Sequence, residues 1–146
     1  RQVRIYFKNL GSINGWEGEM SDNNTKTKRH FFFTEIAEVL GVNEAIMLNH
    51  LIYWIASNSM NGNNHFDGRY WTYNSAKKYA LIFQYWSTGQ IRRILKSLVF
   101  QGKIIEGNYN KHKYDRTKWY ALKDEKYWMT KYNPVDEIDK WENRYR

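Results

Sequence analysis

No cysteine occurs in the 146 residues, so this chain can build neither a disulfide scaffold nor a thiolate metal site. Histidine adds no metal chemistry: His30, His50, His65 and His112 are scattered without ligand spacing, and His50 suits a satisfied core role. There is no phosphate-binding glycine loop. Ser75-Ala76-Lys77-Lys78 matches S-x-x-K, and Ser21-Asp22-Asn23 matches the second element of serine β-lactam enzymes, but their order is wrong and the third element is missing. No enzyme activity, metal or cofactor is expected. No apolar stretch approaches the ~18 residues that span a bilayer, and no signal peptide is visible. A soluble, cytoplasmic protein without membrane contact is the expectation.

Hydrophobic residues make up 42% and aromatic residues 18%, which excludes a wholly disordered chain, and 17.8 kDa suits one domain with tails. The net charge of +8 and a pI near 9.6 favour an anionic partner. Residues 87–123 carry nine basic and two acidic groups, a net of +7, whereas residues 31–86 and 124–146 are each at −1. Such concentration is the footprint of a phosphate-binding surface.

The charged stretch has a legible architecture. Ser87 and Gln90 are spaced for a capping box, with Trp86 placed to staple onto Ile91, so a helix starts there. Ile91, Ile94, Leu95, Leu98 and Val99 form one apolar stripe, leaving Thr88, Arg92, Arg93 and Lys96 outside. Gly102 supplies a left-handed stop. Lys103-Ile104-Ile105-Glu106-Gly107 then reads as a strand answered by Thr117-Lys118-Trp119-Tyr120-Ala121-Leu122, with a basic, turn-prone tip at residues 108–116.

Upstream, residues 21–30 read as polar and mobile. Thr34 is expected to cap a short helix ending at Leu40 and Gly41, and Asn43 a longer, central one running from Glu44 to about Ser57. Residues 58–65 read as a loop, Asp67-Gly68 as a tight turn, and residues 69–73 as a strand with Trp71 and Tyr73 on one face. Asn74 or Ser75 caps the next helix, from Ala76 to about Ile82. Two helices joined by a short turn, then a hairpin, make a winged helix-turn-helix, with the earlier strand able to join as a third. Asn133-Pro134 opens a last helix with Val135, Ile138 and Trp141 on one face, a surface for folding back or for a second copy in a homodimer. The expected class is α+β, mostly helical, divided into an N-terminal segment at 1–30, a winged-helix domain at 31–128 and a helical tail at 129–146. Trp16-Glu17-Gly18-Glu19-Met20 can be encoded by a purine-rich ribosome-binding sequence before a start codon, so the native start is expected at Met20.

The order Asn43-Glu44-Ala45-Ile46-Met47-Leu48, Tyr53-Trp54, Phe66-Asp67-Gly68-Arg69-Tyr70-Trp71-Thr72-Tyr73-Asn74, Trp86-Ser87, Ile91-Arg92-Arg93-Ile94-Leu95 and Gly102-Lys103-Ile104-Ile105-Glu106-Gly107-Asn108-Tyr109-Asn110, closing on Asp115-Arg116-Thr117-Lys118-Trp119-Tyr120, resembles the N-terminal winged helix of replication initiators, or replisome organisers, of phages, plasmids and mobile elements. The resemblance covers about residues 31–128 and implies origin binding before a helicase loader or other replisome protein is recruited. In that arrangement the helix enters the major groove of double-stranded DNA, with Thr88, Gln90, Arg92, Arg93 and Lys96 at the bases. Asn108, Lys111, His112, Lys113 and Arg116 hold phosphate or probe the minor groove.

Blander readings stand beside these. The helix cations suit the solvated face of a core helix, and the tip lysines suit protection of an edge hairpin. Tyr109 and Tyr114 fit base stacking or cross-strand packing, and Trp54, Trp71, Trp86 and Trp119 fit the core. A dimeric transcriptional repressor and a replisome interaction module without DNA use the same fold.

Overall fold

The computed structural model describes residues 29–132. Their order is α1 (Thr34–Leu40), α2 (Val42–Asn61), β1 (His65–Phe66), β2 (Arg69–Tyr70), β3 (Thr72–Tyr73), α3 (Ala76–Ile82), α4 (Thr88–Phe100), β4 (Ile104–Gly107), β5 (Trp119–Leu122) and α5 (Glu125–Tyr132). The fold is α+β, with small antiparallel sheets: β1 pairs with β2, and β5 lies between β3 and β4. The strand ahead of α3 thus joins the hairpin, as its sequence suggests.

α2 runs through the middle. Ala45, Met47, Leu48, Leu51, Ile52 and Ile55 are buried there against Ile91, Ile94, Leu95 and Leu98 of α4. Strand β5 is buried on both faces: Tyr120 and Leu122 join this core, while Trp119 and Ala121 pack with Trp71 in a second cluster. Tyr73 stacks on Trp119 at 4.2 Å, so it and Trp71 do share that outer side.

Several boundaries differ from the sequence expectation. Thr34 is not the cap of α1. Phe33 holds that position, its carbonyl accepting from Ile36 and Ala37, and its ring lies 4.7 Å from Tyr132. Asn43 does not cap α2 either, because only Gly41 separates the helices. At Gly41 φ is +104°, and a Cβ would fall 2.6 Å from Glu44 Oε2, so a single glycine makes the whole hinge. α2 also continues to Asn61 through what reads as loop composition. Asn58 is buried and donates to the Trp71 carbonyl at 2.8 Å, a partner no local pattern reveals.

The expected strand at 69–73 is broken at Trp71. Its N–H donates to Asn64, its indole N–H to the Phe66 carbonyl, and its own carbonyl accepts from Asn58, so the residue leaves the ladder satisfied. Asp67 and Gly68 both have positive φ, +52° and +74°, the primed geometry of a two-residue hairpin. Arg69 ties that hairpin down by donating to the Leu122 and Lys123 carbonyls.

α5 starts at Glu125, ahead of both the helical tail expected from 129 and the helix start expected at Asn133-Pro134. Asp124 accepts from the Tyr127 N–H at 3.2 Å at its start, and Trp128 is buried in the main core. The helix read from Asn133-Pro134, with Val135, Ile138 and Trp141, lies outside the described residues, as does Met20. His30, assigned to a mobile segment, is instead packed: its ring is 4.6 Å from Phe83 and its Nδ1 is 2.8 Å from the Tyr85 hydroxyl. Among the described residues no helix is long and apolar enough to cross a membrane.

Candidate nucleic-acid interface

α4 begins as its sequence dictates. Gln90 N–H donates to Ser87 Oγ at 3.1 Å and Ser87 N–H donates to Gln90 Oε1 at 2.8 Å, completing the capping box. It ends in a Schellman pattern, with Gly102 N–H on the Val99 carbonyl, Lys103 N–H on that of Leu98, and φ of +73° at Gly102. Both ends being fixed, the buried stripe sets the helix rotation. Arg92, Arg93 and Lys96 are then exposed, and Thr88 is half-buried.

The loop from 108 to 118 between β4 and β5 is built around Asn110. Its amide donates to the carbonyls of Asp115 at 2.9 Å and Thr117 at 2.8 Å, while its Oδ1 accepts from the Trp119 indole at 2.7 Å. Asn108 Oδ1 accepts from Asn110 N–H, and Asp115 Oδ1 from Thr117 N–H. That backbone bond from Thr117 holds the Asp115 carboxyl below the usual carboxylate range. Tyr109 is absorbed into the fold. Its ring stacks on Phe66 at 4.6 Å and tilts onto Trp71, and its hydroxyl donates to Asp67, a bond that raises the phenol's pKa.

Between α4 and this loop runs a groove of about 810 Å³. Arg92 and Lys96, one helical turn apart, line one wall. Arg116 and Lys118 line the other, and Asn74 and Ser75 lie along its edge. Glu106 and Asp115 also line it, and Glu106 meets Lys118 at 3.3 Å in a largely exposed pair. A pair so exposed contributes little to stability, which leaves the groove's cationic excess available to an anion.

Of the residues singled out in sequence, the structure brings Arg92, Lys96 and Arg116 together in the groove. Arg93 stands exposed on the same helix, its Nη1 over Gly89, 3.8 Å from where a Cβ there would sit. Lys111, His112 and Lys113 occupy the exposed tip and do not line the groove. Gln90 and Asn108 are exposed, but each has its side-chain oxygen engaged in local structure. Lys118, not among the cations expected from sequence, also lines the groove, as does Tyr114, for which base stacking or cross-strand packing is expected. The charge of 87–123 also divides between two sides, because Lys103 and Lys123 line a separate groove of about 820 Å³ between α1 and α5, with Lys131, Glu35 and Asp124.

No protein-family model, no characterised protein and no solved structure matches this chain.

Proposed function

We propose that residues 31–128 are a winged helix that binds double-stranded DNA, with α4 in the major groove and the β4–β5 loop as the wing. The observation that carries this reading is the shared groove: cations from the helix and from the loop face one another across a single surface. A duplex laid there meets guanidinium groups on two elements at once, which fixes its orientation as well as its position. Arg92, Arg93 and Lys96 are the base-reading candidates, since a guanidinium or an ammonium can donate to guanine O6 and N7. The residue order that resembles replication initiators supports a setting in phage, plasmid or mobile-element replication, in which DNA binding precedes recruitment of a helicase loader.

Footprinting on DNA flanking the protein's own coding region tests the setting. Repeated protected sites support an initiator. Protection confined to a promoter supports a dimeric repressor, and no complex at moderate salt removes the DNA reading altogether. Point variants test the division of labour: Arg93→Ala relaxes sequence preference, while Lys113→Ala weakens binding to all DNA about equally. Equal, sequence-blind losses from both variants would refute that division.

A further inference from the structure

Tyr109 and Tyr114 stand on the same loop, and the structure separates them. Tyr109 is enclosed by Phe66, Trp71 and Trp119. Tyr114 is 82% exposed, and its ring lies nearly parallel to His112, 13° between planes and 5.4 Å between centroids. An exposed phenol costs hydration of its apolar face unless something covers it. Its neighbours across the groove are Arg92 and Lys96, and Arg116 follows it closely in the chain. The loop beneath is held by the Asn110 fork and by Asp115 N–H on the His112 carbonyl at 3.1 Å, so the ring is displayed from a braced turn. An aromatic face on such a support, with cations within reach of a sugar–phosphate chain, has the composition of a base-stacking platform.

Resting on the DNA-binding reading above, we infer that Tyr114 takes an unpaired base: the groove holds the backbone of a locally opened strand, and the base extends the His112–Tyr114 stack. This goes beyond duplex binding, because a fully paired base offers no open face. Cations of the groove serve paired and unpaired DNA alike, whereas the ring contributes only where a base is free.

The experiment compares a fully paired duplex with the same duplex carrying a short unpaired bubble, the latter with 2-aminopurine in the bubble. Binding is read by anisotropy and stacking by 2-aminopurine emission, for the full chain and its Tyr114→Ala and Tyr114→Phe variants. The expected result is a roughly tenfold tighter complex with the bubble, the size of one base–aromatic stack. Emission should fall on binding. Tyr114→Ala removes both the preference and the emission change, so that the two DNAs bind alike, and Tyr114→Phe retains both. Equal affinity of the native chain for the two DNAs overturns the inference and leaves the duplex reading standing. So does a loss in Tyr114→Ala that is the same for both, since the ring would then be touching paired DNA. Failure to bind either DNA defeats both readings, and Tyr114-dependent binding to the bubble alone supports the inference against the duplex reading.

Discussion

Gly107 is a glycine because of a ring distant in sequence. A Cβ there would stand 2.7 Å from Cζ3 and 2.9 Å from Cη2 of Trp71, with Tyr109 Cε2 at 3.1 Å. Trp71 is buried and cannot swing aside, so Gly107→Ala should destabilise the fold by about 1–3 kcal/mol, as overpacking does. A urea midpoint equal to that of the native chain would show that the second cluster gives way more easily than its packing indicates. His50 makes a different case at the same scale. Its ring is buried beside Phe83 at 5.1 Å, Trp54 at 6.0 Å and Tyr79 at 6.1 Å, and burial first, then the charge of His30, lowers its pKa from 6.5 to about 3. The unfolded chain therefore binds a proton at this residue below about pH 6.5 that the folded chain refuses until about pH 3. Stability contributed by keeping His50 neutral is complete above pH 6.5 and is lost as pH falls from there toward 3. At 1.36 kcal/mol per unit, the loss between pH 6.5 and about 5 is on the order of 2 kcal/mol. Chemical denaturation at the two pH values should show this slope in the native chain and a shallower one in His50→Leu. Equal slopes would assign the acid sensitivity to other groups.

The β4–β5 loop depends on one side chain in the same way that α4 depends on its caps. Asn110→Ala would leave the Trp119 indole N–H and the Asp115 and Thr117 carbonyls without their partner. Leaving such groups unpaired costs about 1–3 kcal/mol. The expected outcome is faster amide exchange at Thr117 together with weaker DNA binding, although Asn110 itself need not touch DNA. Unchanged exchange with weakened binding would instead make Asn110 a direct contact. This element also shows what could be read in advance. The capping box of Ser87 and Gln90, the apolar stripe of α4, the stop at Gly102 and the pairing of β3 with the hairpin rest on neighbours within a few residues or on strand composition, and all are visible in the chain. The cap at Phe33, the far end of α2 and the break at Trp71 are decided through space, by Tyr132 and by the pairing of Asn58 with Trp71, whereas the start of α2 at Val42 is set by its chain neighbour Gly41. The start of α5 was missed although Asp124 carries its cap. Trp128 is its one buried residue, with Met129 and Tyr132 packed beside it, and so short an apolar stripe is weak as a sequence signal. For the groove, the charge on each wall was legible. The facing of the walls was not, since it depends on how α4 and the hairpin settle against α2.

At the scale of the whole molecule, the described residues form two grooves that each hold cations beside two carboxylates, and the proposed duplex docks in only the first. Arg92, Lys96, Arg116 and Lys118 line the first with Glu106 and Asp115, on walls from α4 and the β4–β5 loop, while Lys103, Lys123 and Lys131 line the second with Glu35 and Asp124 beside α1 and α5. A purely electrostatic attraction would treat the two alike, because net charge carries no orientation. A docked duplex would not, because each phosphate neutralised releases counterions and steepens the dependence of affinity on salt. Engagement of about six phosphates gives a slope of log affinity against log salt near −5. Replacing Arg116 and Lys118 together by alanine should then flatten that slope by about 2, whereas replacing Lys123 and Lys131 should leave it within error. The two double variants lose the same formal charge, so titration over a series of salt concentrations isolates position from charge. Equal flattening by both would mean that the chain is drawn to DNA by its overall field, and that the groove between α4 and the loop is not where the duplex lies.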